Sequence, residues 1–355
     1  MGPERRQGDR VVTGPSVTGP SVTGPGGTRR VLVDTDTGID DALALLWLSA
    51  QPDVEIVGIT AVYGNCVVDD ALRNIGHVLG LVGLDHVPVA RGAEGPLEAE
   101  AHIAHYVHGH DGLGDVVADR PLPRVLLDAT AAERLVEVAR ASPGEIDLLT
   151  LGPLTNVALA LRAEPRLLTL FRSVTIMGGS GPFPELGRTD MVDANVQNDG
   201  PAAREVFTAP AGSRLMVGVN ATSQVITDES HVAALRDSGT PTGTFAADVL
   251  ATYLDFYRNA WGRRVSPVHD GLAAALMVHP EWIAESVTGP VGVTHDGFAT
   301  RGRVLVTPDG AATDWRPDGS APDDDPSTHT TAVTAVRTDL FLPSFVDALI
   351  HGARS

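Results

Sequence analysis

Arg30-Val-Leu-Val-Asp34-Thr-Asp36-Thr-Gly38-Ile-Asp40-Asp41-Ala-Leu-Ala-Leu-Leu-Trp47 is the stretch on which the reading of this chain turns. Arg30 to Asp34 is a short apolar run that suits a buried strand. After a turn at Thr37-Gly38, the residues Ile39, Ala42, Leu43, Leu46, Trp47 and Ala50 recur at i, i+3, i+4, i+7, i+8 and i+11, the spacing of an amphipathic helix. Strand, glycine turn and helix open an α/β unit. Asp34, Asp36, Asp40 and Asp41 put four carboxylates into eight residues of that unit. Asp34 and Asp36 share a side if the backbone is extended. Asp40 and Asp41 fall in the first helical turn, whose dipole tolerates anions. A helix cap needs one acid, and like charges this close raise each other's pKa unless a cation lies between them. An all-oxygen donor set suits a hard ion such as Ca²⁺ or Mg²⁺. The plain alternative is an N-cap with solvated surface charge.

Outward from this unit the alternation continues. Val54–Val62, Val87–Ala90, Ile146–Leu151, Ser173–Met177 and Arg214–Val219 read as strands. Between them Asp69–Val82, Ala129–Ala141, Leu154–Ala163 and Pro201–Phe207 read as helices. The pattern predicts an α/β fold, a mainly parallel central sheet with helices on both faces, whose ligands gather at the carboxyl ends of the strands. Glu94–Asp128 and Ser180–Asn198 read as long loops at such ends. Residues 1–28 carry Val-Thr-Gly-Pro repeats with neither helical nor strand patterning, so a disordered low-complexity tail is expected there. No second boundary is visible, and residues 29–355 are expected to form a single domain.

With 355 residues, 43% hydrophobic and 20% charged, the chain has the composition of a globular protein. Its 26 basic residues are all arginine, which leaves Schiff-base chemistry, a P-loop and a kinase-type ATP site without their lysine. A formal charge of −19 repels phosphate backbones and anionic lipid, so no nucleic acid and no membrane partner is expected. The single cysteine, Cys66, permits no internal disulfide or thiolate zinc site and suits a reducing compartment. No run of about 18 apolar residues and no signal-peptide core occurs, so a cytoplasmic location is expected.

The motif Asp34-Thr-Asp36-Thr-Gly38-Ile-Asp40-Asp41-Ala resembles the N-terminal signature of the inosine-uridine preferring nucleoside hydrolases, with Thr37 where proline is usual. Further similar segments follow in order: Tyr63-Gly-Asn65, His108-Gly-His-Asp-Gly-Leu-Gly114, Leu151-Gly-Pro-Leu-Thr-Asn156, Met177-Gly-Gly179, Asn195 and Val268-His269-Asp270. The resemblance spans roughly residues 30 to 345 and implies a Rossmann-like nucleoside hydrolase fold. It implies one Ca²⁺ held by Asp36, Asp41, Asp270 and the backbone carbonyl of Leu151. Asp36 would act as general base on a metal-held water and His269 as general acid for the leaving base. Asp40, Asn65, Asp193, Asn195 and Asp270 would hold the ribose. The implied reaction is hydrolysis of the N-glycosidic bond of a ribonucleoside, as in purine and pyrimidine salvage, by a homodimer or homotetramer. Two positions depart from the pattern, Gly187 where an asparagine is common and Asp193 where a glutamate is, and both bear on the grip of the 5′-hydroxyl.

His102, His105, His108 and His110 crowd one loop, but their spacing of three, three and two is no recognised metal pattern. By similarity His108 would stack on the nucleobase. Tyr253, Tyr257 and Trp261 recur every four residues, which suits core packing or the aromatic wall of a base pocket. Cys66 reads as a small buried apolar residue. Two rival functions share parts of the pattern. Asp34-Thr-Asp36-Thr also resembles the nucleophile motif of haloacid-dehalogenase-type phosphatases, and a nucleoside- or ribose-binding protein without turnover is the other.

Overall fold

A computed structural model describes residues 27–181, 193–295, 300–304 and 325–352. The run from Arg30 becomes β1 (Arg29–Thr35), whose side chains alternate between two cores: Val31 and Val33 enter one, Leu32 the other. The chain continues through α1 (Ile39–Ser49) to β2 (Val54–Ala61) and through α2 (Val68–Val82) to β3 (Val89–Ala90). It then passes a single helical turn, α3 (His105–His108), on its way to β4 (Leu126–Leu127). From there α4 (Ala131–Ala141) carries it back across β1 to β5 (Ile146–Thr150). Next come α5 (Thr155–Ala163), α6 (Leu167–Leu170), β6 (Ser173–Met177), α7 (Ala194–Asn198), α8 (Gly200–Thr208) and β7 (Arg214–Val217). The remainder supplies α9 (Val219–Thr222), β8 (Ile226–Asp228), α10 (Glu229–Asp237), α11 (Pro241–Trp261), β9 (Val265–Pro267) and α12 (Asp270–Val278). Last are β10 (Ile283–Gly289), the hairpin β11 (Val291–His295) and β12 (Thr300–Val304), β13 (Thr330–Val336) and α13 (Thr338–His351).

Nine strands form one sheet in the order β10-β13-β7-β6-β5-β1-β2-β3-β4, parallel throughout except for β10 against β13. Strand order reverses between β1 and β5, so the crevice of this sheet opens at their carboxyl ends, where Asp36 and Leu151 lie. Helices α1, α2, α11, α12 and α13 cover one face around Trp47, Phe341 and Phe345. Helices α4, α5, α6 and α8 cover the other around Phe171 and Phe207.

Several expected boundaries shift. The strand expected over 87–90 keeps only Val89 and Ala90, the two residues that pair with both neighbours. The strand from Arg214 ends at Val217, because Gly218 caps α9, which begins at Val219. The expected loop 94–128 contains α3 and β4, and the described end of the expected loop 180–198 is helical from Ala194. Residues 1–26 of the expected tail, and Gly187, lie outside the described residues. Among the described residues no helix is long and apolar enough to cross a membrane.

Candidate active site

The turn between β1 and α1 delivers its acids into a buried space. Asp36, Asp40 and Asp41 are all buried, and Asp270, the first residue of α12, meets them from the far side of the crevice. Asp40, Asp41 and Asp270 bring one carboxylate oxygen each within 4.8 Å of one another. Asp41 is fixed by the Gly38 N–H at 2.9 Å, the Asn65 amide at 2.8 Å and the Thr35 hydroxyl. The Oδ2 of Asp36 accepts the Asn65 N–H at 2.7 Å, while its Oδ1 is buried without a partner. Asp40 accepts the Tyr253 hydroxyl at 3.3 Å on Oδ2, and its Oδ1 too has no partner. Two glycines make room for Asp36: a Cβ would come within 2.1 Å of its carboxylate from Gly64 and 2.9 Å from Gly152.

Burial, with the charge of Asp41 added, pushes Asp40 up to about 8. Burial first and neighbouring aspartates second hold Asp36 and Asp270 well above the usual carboxylate range. So many buried acids cannot all ionise unaided. Orphaned oxygens on Asp36 and Asp40 and a donor set made only of oxygen fit a hard cation. The tight group contains Asp40 in place of Asp36, which borders it. The Leu151 carbonyl accepts the Asn195 amide at 2.6 Å, and Asn195 also reaches the Met177 carbonyl at 3.2 Å. Asp193 is buried and caps α7 through the Val196 N–H at 2.8 Å.

Asp34 is different in kind. It is fully buried on β1, and its Oδ1 accepts both the Thr60 hydroxyl at 2.5 Å and the Asn156 amide at 2.8 Å. Burial pushes it up to about 6. With Oδ1 taken up by these two donors, Asp34 is tied to the neighbouring strand and to α5 rather than to the Asp40–Asp41–Asp270 group.

Across the crevice stands an aromatic wall. The ring of His108 lies 5.4 Å from that of Tyr253, which meets Tyr257 edge-on at 5.1 Å. Tyr257 in turn touches Trp261 at 4.8 Å and Phe256 at 5.0 Å. Tyr253 is core and wall at once, whereas Trp261 is 36% exposed and stands at the outer end. His108 Nδ1 accepts the Ile39 N–H at 3.1 Å and burial pulls the ring down to about 3, so its 4.0 Å approach to Asp40 is no ion pair. His269 shares hydrogens with Thr222 Oγ1 at 2.7 Å and the Tyr257 hydroxyl at 2.9 Å. Burial pulls His269 down to about 4, below the ordinary value that its expected acid role relied on, so the resting ring is neutral. Of the four crowded histidines only His108 enters the site, and among the described residues no histidine cluster able to hold a metal occurs. Thr222 was not readable as a site residue: it becomes relevant only through His269, 47 positions away.

The match to known proteins decides the family. Residues 31–342 match the inosine-uridine preferring nucleoside hydrolase family. The chain belongs to this family. A uridine nucleosidase of Arabidopsis thaliana is 34% identical to this nucleoside hydrolase over 258 residues, 72% of this chain and 76% of its own. A pyrimidine-specific ribonucleoside hydrolase, RihA, of Salmonella paratyphi B is 33% identical over 280 residues, 78% of this chain and 88% of its own. The structure of a plant nucleoside hydrolase superposes with a TM-score of 0.79 at 28% identity, covering 91% of this chain and 99% of that one. The chain is thus an N-glycosyl hydrolase with a nucleoside hydrolase fold.

Proposed function

We propose that this enzyme hydrolyses ribonucleosides to free base and ribose with Ca²⁺ at the acidic crevice. The observation that carries the reading is the buried, unpartnered Oδ1 of Asp36 beside the Asp40–Asp41–Asp270 group. Asp36, Asp41, Asp270 and the Leu151 carbonyl would hold the ion. When bound there, Ca²⁺ would supply the positive charge that acidifies a water and attracts ribose hydroxyls.

The residues of the chain do the rest. Asp36 is tethered through one oxygen and offers the other to the water as general base. Asp40, Asn65, Asn195 and Asp270 would grip ribose hydroxyls, with Asp193 toward the 5′-hydroxyl. Breaking the N-ribosidic bond builds an oxocarbenium-like centre, which buried carboxylates stabilise. The base leaves between His108, Tyr253 and Tyr257, with Trp261 at the mouth. His269, whose Nδ1 bonds Thr222 Oγ1 and whose Nε2 bonds the Tyr257 hydroxyl, would be the general acid that gives a proton to the ring nitrogen of the departing base. The reading extends to one catalytic domain over residues 29–355, a homodimer or homotetramer, and action in the cytoplasm, which the free buried Cys66 suits.

The test is liberated ribose from a panel of purine and pyrimidine nucleosides, run beside phosphate release from a generic phosphomonoester. Ribose from at least one nucleoside and no phosphate is the expected outcome. Tight nucleoside binding with no ribose released would leave a binding protein instead.

A further inference from the structure

The loop that carries His108 is tied to the acidic turn from behind. Asn74, wholly buried on α2, donates from its one amide nitrogen to two carbonyls, that of Thr37 at 2.9 Å and that of Asp111 at 2.9 Å. Its Oδ1 accepts Arg120 Nη1 at 2.7 Å. The same Arg120 nitrogen reaches the Asp111 carbonyl at 3.1 Å and Asp70 Oδ1 at 3.2 Å, and Arg120 Nε lies 3.5 Å from the Asp111 carboxylate. Asp111 then closes the loop on itself by accepting the N–H groups of Leu113 at 2.7 Å and Asp115 at 3.0 Å. Gly112, at φ +84°, lies so close that a Cβ would stand 2.8 Å from both Asn74 Nδ2 and Cys66 Sγ. At the front, the Ile39 N–H donates to His108 Nδ1 at 3.1 Å, so loop and turn meet at two points.

We propose that Asn74 and Arg120 are positioning residues that set where the His108 ring stands in the base pocket. Asn74 joins the loop to the acidic turn; Arg120 grips the loop and Asn74 without touching that turn. The inference rests on the reading of His108 as a contact for the nucleobase. It makes two losses distinct. Without the Arg120 donors the loop loosens while the acids stay in place, so the base side alone suffers. Without the Asn74 amide the Thr37 carbonyl is released as well, so the ribose side suffers too.

The experiment measures KM for the nucleoside that the wild type cleaves fastest and the inhibition constant of free ribose, in protein with the wild-type circular dichroism spectrum. Arg120→Met should raise the nucleoside KM about tenfold, the scale of a lost hydrogen bond to a charged group, and leave the ribose constant unchanged. Asn74→Leu should raise both. Arg120→Lys, which keeps a cation and a donor, should recover part of the loss, and it decides by the same split if the methionine variant does not fold. A folded Arg120 variant with unchanged nucleoside KM, or with ribose weakened as much as the nucleoside, overturns the proposal. His108→Ala is the control: if it leaves KM unchanged, the base-contact reading of His108 is what fails.

Discussion

At Asp36 one carboxylate oxygen is tethered to the Asn65 N–H and the other is unpartnered, and a substitution that keeps the shape tests the proposed base. Asp36→Asn retains an oxygen for the Asn65 N–H but removes the proton acceptor and a negative charge. Turnover should fall by at least the ~10²–10⁴-fold that general-base assistance is worth, in a protein that still folds. Ribose release near the wild-type rate would dismiss Asp36 as base. For His269 the leaving group decides. A natural base departs with developing negative charge, whereas the phenolate of p-nitrophenyl riboside leaves unaided. His269→Ala should therefore slow inosine far more than the activated riboside, and Asp270→Ala should damage both alike. Equal losses for His269→Ala on the two substrates would remove its acid role. Because burial already holds the ring neutral, the kcat profile should show no histidine ionisation near 6.5, its ordinary value.

Among the elements, β7 and α8 are joined by a buried arginine that meets carbonyl and hydroxyl oxygens. Arg214 donates to the carbonyls of Val206 at 2.7 Å and Phe207 at 2.7 Å at the end of α8, to Ala209 at 3.0 Å, and to Thr330 Oγ1 at 2.7 Å on β13. Arg214→Met would strand these buried acceptors and should cost about 3 kcal/mol or more of stability. Turnover per folded molecule should hold, since β13 lies at the sheet's far side from β1. A melting temperature within about 2 °C of wild type would contradict this. The elements that sequence made readable are those with a local signature. Strands β1, β2, β5, β6 and β7 and the glycine turn at Gly38 follow from neighbours in the chain; α1 does so in its extent but not in its face, for the helix read as amphipathic is buried on every side from Ile39 to Leu48. Helix α12 has no such signature: from Leu272 to Met277 every residue is buried, so its apolar residues show no face. Strands β3 and β4, two residues each, are defined only by their pairing. Asp36, Asp40 and Asp41 were legible because the four clustered carboxylates need a reason to be together, whereas Asp270 stood out only through the resemblance. Thr222, Asn74 and Arg120 were not legible, since a hydroxyl, an amide and a guanidinium look ordinary until the fold brings their partners to them.

For the whole molecule, the buried acids make metal-free stability depend on pH. An acid whose pKa is raised by folding binds more protons folded than unfolded, so stability falls as pH climbs from 3.8 toward the folded value, about 6 for Asp34 and about 8 for Asp40. His108 and His269, lowered to about 3 and about 4, act oppositely, adding stability with rising pH until 6.5. The interval from 6.5 to about 8 therefore isolates the acids. Chelated protein should lose melting temperature across that interval, and added Ca²⁺ should abolish the loss and restore activity together. A flat or rising profile after chelation would show that the crevice tolerates its charge without an ion. The same crevice also sets a schedule for the newborn chain. Asp40 and its partner Tyr253 are 213 positions apart, and Asp270 follows later still. At roughly 5–20 residues per second, the ribosome separates them by about 10–40 s. Throughout that delay the first acids have neither their aromatic cover nor their opposing carboxylate. If Asp270 holds the ion as proposed, its capture is a late event in biosynthesis, available only after α12 has emerged, and a chain stalled short of it would carry the signature motif without the means to use it.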